Sequence, residues 1–176
     1  MRLDDGILLA VEACEPAHVG RTALQKLMYF ASRRGVVDAE FSAHYYGPYS
    51  QEVASEVASL VDLNFLEEQA GVVYASGNVG YVYRLTEEGR QVLPGGNGQK
   101  KLIRAIVSSA VSRLSLNPRL LATAAKVHFI LDSSHEPMVP QKIRERAGRL
   151  GWELEEADIF KVIDYLKDLE LVATEP

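Results

Sequence analysis

The sequence predicts an α+β protein, mostly helical. A winged helix-turn-helix domain fills 1–94, a Gly-rich linker follows at 95–98, and a four-helix region fills 99–176. Three observations carry this reading. The apolar spacing of the first half runs helix, helix, short strand, helix, then two segments suited to a hairpin. Pro94-Gly95-Gly96-Asn97-Gly98 is the one clear break in pattern, and everything after it is periodic at helical spacing.

The elements follow in order. Leu3, Ile7, Leu8 and Val11 mark a first helix over 3–14, which Pro16 ends. Residues 21–34 form a second, with Leu24, Leu27, Met28 and Ala31 at i, i+3, i+4, i+7 and Gly35 as its stop. The aromatic alternation of 41–46 predicts a short strand. Pro48, with its fixed φ, is expected to open a third helix running to Leu63. Segments at 65–69, 72–76 and 80–85 follow, the last two joined by a loop at 76–80. Thr86 caps a closing helical segment. Beyond the linker, 99–115 is a helix burying Leu102, Ile103, Ile106, Val107, Ala110, Val111 and Leu114. Asn117 and Pro118 stand as cap and first residue of a helix to Asp132. Pro140 opens a short basic helix, and 155–170 forms the last. The last three helices can be read as a reduced second helix-turn-helix.

Composition narrows the function. The apolar fraction of 47% supports an ordinary core. No apolar run approaches the roughly 20 residues of a membrane span, and the N-terminus lacks a secretory pattern, so a cytoplasmic protein without membrane attachment is expected. The lone Cys14 excludes an internal disulfide and cysteine-based zinc sites, and on an apolar helix face it reads as an inert core thiol. The net charge of −5 is uneven: residues 1–94 carry 7 Lys/Arg against 13 Asp/Glu, residues 95–176 carry 12 against 11. Between Arg34 and Arg84 there is no basic residue, while seven acids fall there. His18, His44, His128 and His135 form no metal-binding pair. His128 and Asp132 share a helix face, but no third ligand joins them. With no nucleophile elbow and no phosphate loop, neither catalysis nor a cofactor is expected.

Two motifs stand together in the first half, Gly20-Arg21-Thr22-Ala23-Leu24-Gln25-Lys26-Leu27-Met28-Tyr29 and Phe41-Ser42-Ala43-His44-Tyr45-Tyr46-Gly47-Pro48-Tyr49-Ser50. The pair resembles the Panacea or SocA-like domain and the related YwgA-type proteins of bacteria and archaea, and the Gly-Arg and "GPYS" wording lean towards the latter. Residues 84–89 are similar to the closing segment of many winged-helix regulators. The resemblance covers about residues 3–93 and implies a winged-helix fold without enzymatic activity. On the SocA-like side it implies a protein that neutralises or delivers another protein.

Two sets of candidate site residues result. Lys26 and Tyr29 on the second helix, Tyr46 and Tyr49 of the motif, and Gln51, Glu52 and Glu56 on the third helix are candidates for binding a protein partner in an antitoxin- or adaptor-like role. The competing reading packs Tyr46 and Tyr49 between the second and third helices, with Gln25 satisfying loop backbone. The alternative function is DNA-binding transcription regulation, as a homodimer, through Lys142, Arg144, Arg146 and Arg149. The acid-rich third helix makes a poor DNA reader, because phosphate contacts from Lys and Arg supply much of such affinity. The basic stripe reads equally as a solvated face.

Overall fold

The computed structural model describes residues 1–73, 79–95, 98–134 and 138–172. It is an α+β protein, mostly helical, with one small antiparallel sheet. Two helices form its centre. α1 (Leu3–Cys14) buries every residue from Gly6 to Val11, and α2 (Arg21–Arg33) buries every residue from Ala23 to Ala31. A helix buried all round belongs inside a larger assembly of elements. α5 (Gly98–Leu114) and α6 (Pro118–Ser134) supply the cover: α5 packs on α1, α6 packs on α2, and α8 (Glu156–Asp168) closes over both α5 and α6. One hydrophobic core therefore runs from Ile7 and Phe30 to Tyr165 and Leu166.

The sheet lies beside this core. β1 (Val19–Gly20) pairs with β3 (Val79–Leu85), which pairs with β2 (Leu66–Val73), in the order β1-β3-β2. Val19 faces Tyr83 and Leu66 faces Leu85, with an irregularity between Ala70 and Val72. α3 (Gln51–Asp62) leads into β2, and the short α4 (Glu87–Gln91) follows β3. Thr86 caps α4 as expected, its hydroxyl accepting from Gly89 N–H at 2.9 Å. Gly89 is there for space: a Cβ would stand 2.1 Å from the Phe65 carbonyl oxygen. Asn117 likewise caps α6, its side-chain oxygen accepting from the N–H groups of Arg119 and Leu120. α7 (Pro140–Arg149) completes the set, with Pro140 in its first turn.

Four expectations need correction. Residues 41–46 are not a strand but the first limb of a closed turn, held by a single bridge in which Ser42 and Tyr49 exchange hydrogen bonds of 3.0 and 2.9 Å. The first strand of the sheet is instead Val19–Gly20, ahead of the second helix and too short for any alternation to announce. Pro48 does not open α3: Ser50 is the cap, accepting from Val53 N–H at 3.3 Å, and helix begins at Gln51. Leu102 and Val111 are 37% and 46% exposed, because the apolar stripe of α5 is wider than the surface that covers it. The segments near 65–69 and 72–76 join as β2 as far as Val73, and the hairpin loop at 76–78 lies outside the described residues, as does His135.

Candidate functional site

The two sequence motifs meet in space. Gln25, 5% exposed, donates from Nε2 to the Ser50 carbonyl at 3.0 Å and accepts at Oε1 from the Ser50 N–H at 3.1 Å. One amide thereby satisfies the N–H of a buried residue and adds a second donor to its carbonyl, which also accepts from the Ala54 N–H at 3.2 Å. Lys26, 2% exposed, donates from Nζ to the Pro48 carbonyl. Burial, with the nearby charge of Lys126, lowers its pKa to about 8. Tyr29 is wholly buried and its hydroxyl lies 2.7 Å from Nδ1 of His128. Burial raises the phenol and drives the imidazole down to about 4, so the bond joins a neutral phenol to a neutral ring, whose tautomer sets its direction.

These contacts correct part of the expected recognition surface. Lys26 and Tyr29 face inward and hold the motif turn on α2, so neither can touch a partner. Gln25 satisfies loop backbone, as the competing reading had it. Gly47 sits at the apex with φ +96°, a conformation L side chains rarely adopt, and an added Cβ would meet Lys126 Cγ at 3.1 Å. Tyr45 and Tyr46 are 72% and 60% exposed, with rings edge to face at 4.8 Å.

Below the turn lies an open groove of about 390 Å3. Leu24 of α2 and Val53, Ala54, Val57, Ala58 and Val61 of α3 make its floor, and half-buried Tyr49 stands at one end. Arg21, Glu68 and Tyr83 close the far side: Arg21 donates to Glu68 at 2.8 Å and to the Tyr83 hydroxyl at 3.1 Å, and Tyr83 donates to Glu68 at 2.6 Å. Burial, then Glu68, pushes the Tyr83 phenol up to about 12, so it stays a donor at neutral pH. Gln51 and Glu52 are exposed on the outer face of α3, Glu56 is half-buried, and Asp62 reaches the groove. Glu52 also accepts from the Glu40 N–H at 3.2 Å. The groove's one cation, Arg21, is already engaged by Glu68.

The basic residues lie elsewhere, on α7. Lys142 and Arg149 are exposed and Arg146 is half-buried, none with a carboxylate partner among the described residues; Arg144 donates to the Leu154 carbonyl at 3.1 Å. His128 and Asp132 part company, the first to Tyr29 and the second to Arg33 at 3.4 Å. Cys14 is buried, which raises its thiol to about 12 and leaves it unreactive.

Sequence reasoning missed Lys126 and Trp152. Trp152, 2% exposed, donates from Nε1 to the His44 carbonyl at 2.7 Å and so ties the segment after α7 to the motif turn. Its being the only tryptophan was the one available signal.

Fold and site together describe a small α+β protein with an open, apolar-floored groove. No family model matches the chain. It is 26% identical over 155 residues to the uncharacterised protein YwgA of Bacillus subtilis (strain 168), a match spanning 88% of this chain and 89% of that protein. Among the described residues no helix is long and apolar enough to cross a membrane.

Proposed function

We propose that the chain is a winged-helix regulatory protein without catalytic activity that acts by binding another protein through α3 and the groove beside it. The order α1, β1, α2, α3, β2, β3 with strands arranged β1-β3-β2 supports the winged-helix reading, and α6 to α8 can serve as a reduced second helix-turn-helix. The observation that carries the functional reading is the groove itself: an apolar floor, Tyr49 at its end, and Glu52, Glu56 and Asp62 along α3 with no unpaired cation. Such a surface suits a protein segment that buries an apolar side chain and flanks it with Lys or Arg. The SocA-like resemblance of the motifs supports an antitoxin- or adaptor-like role for that contact. The unpaired Lys142, Arg146 and Arg149 favour one alternative, a homodimeric transcription regulator that meets DNA through α7.

One pair of variants separates the readings. Glu52→Lys with Glu56→Lys reverses the α3 face, and Lys142→Glu with Arg146→Glu reverses the α7 face. Affinity capture from the native cell should yield a protein that the wild type and the α7 variant retain and the α3 variant loses. The α3 variant loses one hydrogen bond, so its stability should fall by only about 1 kcal/mol. Nanomolar binding of duplex DNA that the α7 variant abolishes and the α3 variant does not weaken would overturn the protein-partner reading.

A further inference from the structure

A second cleft, of about 520 Å3, opens on the other side of the motif turn. It is walled by Tyr46 of the turn, by Thr22 of α2, by Ala122 and Lys126 of α6, and by Glu153 and Glu155 ahead of α8. A volume of this order is typical of small-molecule sites, roughly 300–1,000 Å3.

The charges within it are unequally satisfied. Arg119 and Asp158 also line the cleft, but they pair with each other, and Lys161 adds a second contact to the 5% exposed Asp158. Lys126 has no such partner. It is half-buried and makes no hydrogen bond or ion pair among the described residues. Its ammonium stands 5.6 Å from the centre of the Trp152 ring, and its stem packs against Gly47. Burial lowers its pKa against a smaller raising pull from Glu153, and its charge in turn disfavours that of Lys26. A desolvated ammonium beside a like charge costs free energy that an arriving anion would recover. The carboxylates of Glu153 and Glu155 are exposed and make no hydrogen bond or close ion pair among the described residues, Glu153 acting on Lys126 only at longer range.

The cleft thus offers one cation and two carboxylates, none held by a side-chain hydrogen bond or close ion pair among the described residues, and an aromatic wall. An inorganic anion would meet Lys126 but also the two acids. A simple amine would satisfy the acids and leave Lys126 as it is. A molecule carrying both charges answers both demands. We propose that this cleft binds a free amino acid with a bulky apolar or aromatic side chain, its carboxylate on Lys126, its ammonium towards Glu153 and Glu155, and its side chain between Tyr46 and Ala122. The site is separate from the α3 groove, so its failure leaves the partner-binding reading standing, and the reverse holds too. Because Tyr46 and Gly47 belong to the turn that Gln25 and Lys26 hold in place, an occupied cleft would stiffen that turn.

The test is calorimetric titration of the full chain with l-phenylalanine, phenethylamine, 3-phenylpropanoate and inorganic phosphate. Phenylalanine should bind, with both single-charge analogues and phosphate weaker by about tenfold or more, the worth of one charge-assisted hydrogen bond. Lys126→Met and Glu155→Gln, the latter at an exposed position, should each weaken phenylalanine by a similar factor; the second variant keeps the test decisive should the first not fold. No binding of phenylalanine up to about 10 mM, equal binding of either single-charge analogue or of phosphate, or unchanged affinity in Glu155→Gln would overturn the assignment.

Discussion

Replacing Lys26 by Met tests the internal clamp through its pH dependence. The ordinary ammonium pKa of 10.5 falls to about 8 in the folded protein. At one unit per 1.36 kcal/mol, holding this charge inside costs roughly 3 kcal/mol at neutral pH. The folded pKa lies below the unfolded one, so between pH 8 and 10.5 the unfolded chain keeps a proton the folded chain has shed, and stability rises with pH across that window. Met fills similar volume without charge. At pH 7 it removes the roughly 3 kcal/mol penalty but orphans the Pro48 carbonyl, at about 1–3 kcal/mol, so the two proteins should lie within about 2 kcal/mol of each other. At pH 10 the wild type has shed its penalty, and the neutral amine still donates to Pro48. The wild type should therefore gain about 2.5 kcal/mol on the variant between pH 7 and 10. Buried tyrosines, whose raised pKa makes the protein lose stability above about pH 10, are common to both chains and drop out of the difference. Urea titrations at four or five pH values would measure it, as a relative midpoint shift of about 1 M. Parallel pH curves would show that Lys26 carries no penalty and would refute the reasoning.

Two further outcomes follow from the packing. His128 is held neutral with its pKa down to about 4, so stability should fall as pH drops from 6.5 towards 4, where only the unfolded chain takes up the proton. His128→Gln should remove about 2 kcal/mol of that loss between pH 7 and 4.5, and an equally steep decline in the variant would assign it elsewhere. Gly89→Ala should lower the melting temperature by about 6 °C or more, since the Phe65 carbonyl is backbone and cannot step aside; Gly95→Ala, with nothing within 4 Å, is the control and should leave it unchanged.

The helices were legible in the sequence because their signals are local. Asn117-Pro118, Thr86 and Pro140 each mark a helix start with a capping or φ preference that needs no distant partner. What escaped was set by residues far apart. Val19–Gly20 becomes a strand only because Tyr83 and Val82 come alongside, and two residues carry no period of their own. Lys26 and Tyr29 read as a polar stripe because polarity normally means surface; their partners, Pro48 and His128, lie 22 and 99 positions away. Glu52 lies on the surface as expected, and Tyr46 is exposed at the turn rather than packed between the second and third helices. Lys126 gave no sign of its cleft, because nothing in its own helix says that the Gly47 turn and Glu153 will arrive beside it.

The all-round burial of α2 has a consequence for the chain as it is made. Its cover comes chiefly from α6, which ends at Ser134, about 100 residues after α2 does. At about 5–20 residues per second, nine consecutive core positions wait roughly 5–20 s for their lid. Throughout that interval Phe30, Met28 and Leu27 are among the stickiest side chains on the nascent surface. A ribosome stalled before α6 would release a chain whose central helix is naked, prone to collapse on itself or to recruit a chaperone.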